Sequence, residues 1–514
     1  MVADPSPDNH RKLVLVVVDS LRSDMLLRTV EAGDAPTFKK LLDRGELVPD
    51  CVSSFPSVTP VCTSEIATGV RPNQHQIPGM NWYHRAEERY VEYGSSFEAT
   101  RQFGLFRSLY DTVYNLNMGH LNHETLTCFE RLGDAGLRTA CTPFLIYRGR
   151  TRHEVGLEGL LKAVASTAKF HHAVWGPDEL FYGELYSSRK VDCKPTLARP
   201  ATRDAYSACV GRDLVEHDLY DFMLFSLPDN DYFSHRDGPA ETQESIALAD
   251  DALAELVDAH GGIDPFLEDN GVIVVADHAQ SHVTKPLPLA AALGGHWEVL
   301  QPNSELDRSV HELGVGPSGR GAGVWILADP GREHDALAEK VRRYVNRNLD
   351  GQVELVAWLT SDGEEAAVRR GECELRFAPG GDVADRRGES WSLEGDLATL
   401  TGHVHDGTFV SADYPDALAR LWAALRNPNA ADVLLSLAPD WECEDWGGVT
   451  HTPGGSHGSL RAEDSLGTLL TVGVDGERPE RAQWAISDVA GLVDGHFGIG
   501  SERSAADVVA SAAR

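Results

Sequence analysis

The sequence predicts an α/β protein, a three-layer α/β/α sandwich around a mostly parallel central sheet with a smaller inserted α+β cap. Three observations predict it. Apolar runs at 13–18, 222–227 and 272–276 have the uninterrupted Val/Leu/Ile/Phe character of strands buried on both faces. Each run delivers a carboxylate at its carboxyl end: Asp19, then Asp229 and Asp231, then Asp277. The stretches between them carry apolar residues at three- and four-residue steps, which is helical spacing, and such alternation builds layers.

In chain order, 13–18 is the first strand and 37–44 a helix. Residues 56–69, PSVTPVCTSEIATG, read as a helix entry: Thr59 fits an N-cap before Pro60, and Gly69 closes the run. The stretch 97–117, rich in Phe, Leu and Tyr, reads as helical packing, and 124–135 and 201–217 as helices. After the strand 222–227 come a helix over 241–260 and the strand 272–276. Beyond His282 the pattern changes. Residues 286–323 show Gly, Pro and Ser punctuation. Strands are expected at 324–328, 353–359 and 372–377, a helix at 334–348 and a polar Gly-rich stretch at 377–395. This marks an inserted cap over 318–410 between core segments 1–317 and 411–514. A helix at 416–425 and a strand at 433–437 are expected to return to the core. Residues 468–473 and a tail helix from Ala505 complete it.

The 514 residues are 42% hydrophobic and 24% charged, a globular balance. The net charge of −33 argues against a nucleic-acid scaffold or an anionic membrane as partner, since both need a basic face. Small phosphorylated substrates stay open, because bound cations reverse the local field. Eight cysteines, with no CxxC spacing, are too sparse for a disulfide framework. A reduced cytoplasm is the simplest setting. The 13–18 run is too short for a signal or membrane span.

Several residues could carry chemistry. At the positive end of a helix dipole the Thr59 hydroxyl is a candidate nucleophile, although a bare Thr near neutral pH needs a metal or base to activate it. Asp231 and His235 lie four apart and share a face on a helical turn, so both can hold one ion. Asp277 and His278 sit where a strand ends and the chain turns. His457 lies in PGGSHG, whose glycines permit close backbone approach. With Asp19 these make three carboxylates and three imidazoles, which suits zinc, or manganese at the oxygen-rich end. Each motif alone has a plainer explanation as a cap, a turn or a chance spacing; the set together points to a metal-dependent site.

The order VVVDSLR, PSVTPVCTSEIATGVRPNQHQI, PDNDYFSHRDGP, VVADHAQ and GGSHGS resembles the alkaline phosphatase superfamily, and within it the type I phosphodiesterase/nucleotide pyrophosphatase family. The resemblance implies an alkaline-phosphatase-like fold and two zinc ions. Asp231, His235 and His457 would hold one ion. Asp19, Asp277 and His278 would hold the other, with the Thr59 oxygen beside it. Two ions roughly 4 Å apart stabilise the Thr59 alkoxide and clamp the attacking and leaving oxygens of an in-line displacement. Thr59 would then carry a covalent phosphoryl group that water releases.

Some positions depart from the family pattern. Family phosphodiesterases often place an Asn after the nucleophile helix as a donor to the phosphoryl group. Here the ungapped match falls on Met80, and Asn81 takes the role only after a one-residue shift. Trp82 and Tyr83 could stack on a base or sugar, or simply pack. The Tyr147–Arg150 stretch could meet an anionic tail, although a solvated basic loop is the plainer reading. Sulfatase chemistry does not fit, because Thr59 stands where a formylglycine precursor is needed. A phosphomonoesterase, a phosphonate or phospholipid-headgroup hydrolase, and a non-catalytic metal-binding protein are the competing functions.

Overall fold

The computed structural model describes residues 11–155, 172–183, 185–194 and 202–500. Eight strands form the central sheet in the order Glu46–Val52, Leu466–Val472, Asn270–Val275, Lys12–Val18, Phe222–Leu227, Thr139–Cys141, Glu179–Tyr182 and Tyr186–Ser187. The four pairings from Asn270–Val275 across to Glu179–Tyr182 are parallel; the three outer ones are antiparallel.

The strand Lys12–Val18 shows why this is a sandwich. Successive side chains on a strand point to opposite faces. Leu13, Leu15 and Val17 pack into one core with Val61, Ile66, Phe129 and Val493. Val14, Val16 and Val18 pack into another with Met25, Phe38, Leu214 and Leu253. The first core is covered by the helices Thr59–Thr68, Cys128–Asp134 and Asp488–His496, and the second by Ser23–Ala32, Pro36–Leu42, Arg203–Glu216 and Gln243–Ala259. Burying both faces explains the unbroken apolar runs in the sequence.

A second, nine-stranded sheet is almost wholly antiparallel and includes Leu313–Ser318, Gly321–Ile326, Val433–Leu437, Val353–Leu359, Ala366–Arg370 and Cys373–Ala384. The helix Arg332–Asn348 packs on one face through Ala338, Val341 and Val345. Ala417–Leu425 packs on the other through Leu418 and Leu421. Val433–Leu437, expected to return to the central sheet, instead lies between Gly321–Ile326 and Val353–Leu359. The second sheet therefore extends past 318–410 at both ends. The polar stretch 377–395 also differs from expectation. It folds back as a hairpin, Cys373–Ala384 against Ser390–Gly395, because Trp391 buries itself against Phe377 at 5.9 Å.

The expected stretch 97–117 is Phe97–Phe103, Leu105–Tyr110 and a π-helical turn, Asp111–His120. Cys193 and Cys209 form a disulfide, which the cysteine spacing did not signal, and the other six thiols are free. No helix among the described residues is long and apolar enough to cross a membrane. The tail helix expected from Ala505 lies outside the described residues.

Candidate active site

Parallel register brings the first two carboxylates together. Val17 pairs with Val275, so Asp19 and Asp277 leave their strands side by side, and Val18 pairs with Leu227, which leads into the helix Asp229–Asp237. On that helix Asp231 and His235 share a face, with His235 Nε2 3.4 Å from an Asp231 oxygen. His457 follows the strand Gly454–Ser456, which lies antiparallel to Ser281–Leu287. A Cβ at Gly454 or Gly455 would collide with the backbone of His235 or Ser234, so the two glycines let the His457 loop close onto the helix.

Six side chains from four segments converge. Asp19, Asp277 and His278 offer ligand atoms within 4.8 Å of one another, and so do Asp231, His278 and His457. His457 Nε2 is 3.8 Å from Asp231, and the His278 and His457 rings stack at 3.8 Å. His278 thus stands between the two expected ligand groups.

The hydrogen bonds prepare these rings to bind a cation. Nδ1 of His235 lies 2.7 Å from the Gly455 carbonyl, and Nδ1 of His457 lies 2.7 Å from the Ser57 carbonyl. Nδ1 of His278 lies 3.2 Å from the Ala279 carbonyl. A carbonyl accepts only from N–H, so each neutral ring keeps its proton on Nδ1 and turns a bare Nε2 inward, the arrangement that metal-binding histidines adopt. Burial keeps all three rings neutral, pulling each down to about 4.

The carboxylates show an excess of negative charge. Burial, then Asp277 and Asp231, push Asp19 well above the usual carboxylate range. Burial and Asp231 push Asp277 up to about 6, and its buried Oδ2 has no hydrogen-bond partner among the described residues. Burial also pushes Asp231 up, but His235, His457 and His278 outweigh it and hold that carboxyl below its ordinary value. An orphaned buried carboxylate oxygen costs about 1–3 kcal/mol or more. Three carboxylates facing three bare Nε2 atoms are the donor set of a zinc-type site, so these residues fit divalent ions.

Thr59 opens the helix Thr59–Thr68 as its first residue, with Val58 rather than Thr59 in the N-cap place and Pro60 following. The Thr59 hydroxyl therefore caps nothing. It lies 3.3 Å from His278 Nε2, its hydrogen-bond partner among the described residues. Thr59, Asp19, Asp231, His235, Asp277 and His457 all line one cavity of about 950 Å³.

Other expected site residues lie elsewhere. Met80, not Asn81, lines the cavity. Asn81 is buried and donates to the Pro317 carbonyl at 2.5 Å. Strand alternation explains this: a one-residue step reverses the side chain. Trp82 is buried beside His84 and His120, and Tyr83 meets Tyr90 edge-on at 5.8 Å. Tyr147 is buried with its hydroxyl on the Val113 carbonyl, and Arg150 pairs with Asp134 and Glu130.

The sequence reading missed Ser20, Gln280, Arg203 and His451. Ser20 Oγ and Gln280 Nε2 both donate to Asp231. Arg203 reaches the cavity wall from a salt bridge with Asp229 at 2.9 Å. The His451 ring stacks on His235 at 3.8 Å. Burial pulls His451 down, but the Glu442 carboxylate, 2.6 Å from Nδ1, outweighs it and raises the ring above its ordinary value. Ser20 stands one residue after Asp19 and Gln280 three after Asp277, a proximity that could have flagged them. Arg203 and His451 carry no such signal.

No curated protein sequence matches the chain. Among solved structures, the fold matches that of phosphonoacetate hydrolase from Sinorhizobium meliloti 1021 in complex with phosphonoformate, with a TM-score of 0.53 and 15% identity. That match covers 95% of this chain and 96% of the other, and at this identity it speaks for the fold alone. The model of the family described as type I phosphodiesterase / nucleotide pyrophosphatase matches residues 13–460. The chain therefore belongs to the type I phosphodiesterase/nucleotide pyrophosphatase family and is a hydrolase acting on phosphoric ester bonds.

Proposed function

We propose that the protein cleaves a phosphodiester or nucleotide pyrophosphate through a phospho-Thr59 intermediate, at a centre holding two divalent ions, zinc in preference to manganese. One observation carries this reading. The Thr59 hydroxyl is free of any capping role and lies 3.3 Å from His278 Nε2, in the cavity where three carboxylates and three histidines meet.

When bound, the ions would supply Lewis acidity, lowering the pKa of the Thr59 hydroxyl and offsetting charge on the phosphoryl oxygens. Asp231, His235 and His457 would hold one, and Asp19, Asp277 and His278 the other. Thr59 Oγ1 gives its proton to solvent water and bonds to phosphorus while the P–O bond to the leaving group breaks. The leaving oxygen keeps the electron pair and takes a proton from water. A second water then bonds to phosphorus as the Thr59 Oγ1–P bond breaks, and Oγ1 takes the proton that this water gives up. Arg203, on the cavity wall, favours a substrate whose leaving group is itself anionic, as in a pyrophosphate.

Phosphonate hydrolysis is the second reading, favoured by the likeness to the phosphonoacetate hydrolase fold along nearly the whole chain. Initial rates on bis-p-nitrophenyl phosphate, p-nitrophenyl phosphate, thymidine 5′-p-nitrophenyl phosphate and phosphonoacetate separate the readings. The diesters are expected to turn over fastest. A monoester or phosphonate rate orders of magnitude above them overturns the diester assignment.

A further inference from the structure

We infer that Ser20 is the positioning residue that joins the two halves of the divalent-ion centre, a role that rests on the centre proposed above. Ser20 directly follows Asp19 and is buried at 3% exposure. Its backbone sits in the left-handed region, at φ 59°. A side chain there is strained, and glycine is the residue that adopts it freely. Ser20 keeps a side chain in spite of that strain, and the hydroxyl accounts for it.

The hydroxyl has one proton and two lone pairs, and all three are used. The proton goes to an Asp231 oxygen at 2.8 Å. One lone pair accepts from Gln280 Nε2 at 3.2 Å. The other faces His278 Nδ1 at 3.1 Å, where it accepts the ring N–H together with the Ala279 carbonyl. The Ser20 backbone N–H donates to Asp277 Oδ1 at 3.2 Å. One residue thus touches Asp231, from the first ligand group, and Asp277 and His278, from the second. With the Ala279 carbonyl it keeps the proton of His278 on Nδ1, so that Nε2 faces inward bare, and it holds the Asp231 oxygen that faces Nε2 of His235 and His457. The left-handed turn allows this, because it aims the N–H at one strand end and the Oγ at the helix Asp229–Asp237.

Losing an outer partner of a metal ligand typically weakens metal binding about 10–100-fold. Because Ser20 serves ligands on both sides, its loss weakens both ions together. Backbone and hydroxyl are separable by substitution. Ser20→Gly removes the hydroxyl and relieves the left-handed strain; Ser20→Ala removes the hydroxyl and keeps the strain.

The test uses the full chain, stripped of metal and titrated with zinc against a chromophoric chelator, with thermal unfolding of the stripped protein measured in parallel. Wild type is expected to take up two zinc ions. Both variants should bind each ion about 10–100-fold more weakly. Stripped Ser20→Gly should melt no lower than wild type and above Ser20→Ala. Activity lost at limiting zinc should return at saturating zinc. Wild-type affinity for both ions in Ser20→Gly overturns the inference, and so does weakening confined to one ion. A wild-type protein that binds no divalent ion overturns the proposed centre itself, a result distinct from either of these.

Discussion

Two clusters in this chain have a similar ligand inventory and opposite chemistry. At the strand ends, Asp19, Asp231, Asp277, His235, His278 and His457 converge. Near the hairpin Asn81–His84/Arg89–Glu92, His84, Glu87 and His120 also come within 4.8 Å. The difference is where the protons are. At the strand ends every histidine gives its Nδ1 proton to a backbone carbonyl and leaves Nε2 bare. In the hairpin cluster the Glu87 backbone N–H donates to His84 Nδ1 at 3.2 Å, so the neutral ring carries its proton on Nε2, facing Glu87. Arg89 already holds Glu87 through the other carboxylate oxygen, at 2.6 Å. Residue types alone do not make a metal site; the partner of the second ring nitrogen decides.

Breaking the strand-end centre should have the largest effect. Thr59→Ala is expected to lower turnover at least ~100-fold, the low end for loss of an activated catalytic group, while zinc content stays at the wild-type value. Steady-state rates with metal analysis on the same preparations check both halves. Wild-type activity in that variant removes Thr59 as nucleophile.

Asp231→Asn should come next, weakening zinc binding at least about 10-fold by removing a charge that faces three histidines. Equilibrium dialysis reads this directly; undiminished zinc takes Asp231 off the ligand set.

A third buried cluster sharpens the contrast, because it has carboxylates without imidazoles. Burial, then Asp229, raise Asp204 to about 8, and its Oδ2 has no hydrogen-bond partner among the described residues. The folded pKa lies above the unfolded one. The stability from holding this proton is therefore fully present below the unfolded value, near 3.8, and is lost as pH rises through about 8. Wild type should lose about 1 °C of Tm between pH 7 and 9, on the order of what ~1 kcal/mol shifts in a chain this size. Asp204→Asn, with nothing to titrate there, should show a flatter profile in the same melts. An identical pH dependence in both proteins would rule out Asp204 as its source.

The smallest effect is expected at the hairpin. His84→Ala should leave the zinc stoichiometry unchanged. Loss of one zinc equivalent would show that the tautomer argument fails and that both clusters hold metal.

Much of this was legible in the linear order. The runs at 13–18, 222–227 and 272–276 had to be strands buried on both faces, since only that environment favours unbroken apolar residues, and carboxylates at their ends had to meet at one edge of a parallel sheet. The i, i+4 pair Asp231 and His235 and the glycines before His457 were readable for the same local reason. The Val433–Leu437 strand was harder. Its apolar pattern fits either sheet, and only its two antiparallel neighbours assign it to the second.

What the sequence determined by itself was therefore the layered core and six ligand candidates with a hydroxyl, because period, turn chemistry and strand ends are local properties of the chain. The tertiary structure alone decided that Asn81 faces Pro317, that His278 stands between the two ligand groups, and that Ser20 touches three of the ligands. Those outcomes depend on contacts between residues more than two hundred positions apart. They are fixed by which lone pair finds which proton once the sheet has closed, and no local pattern records that.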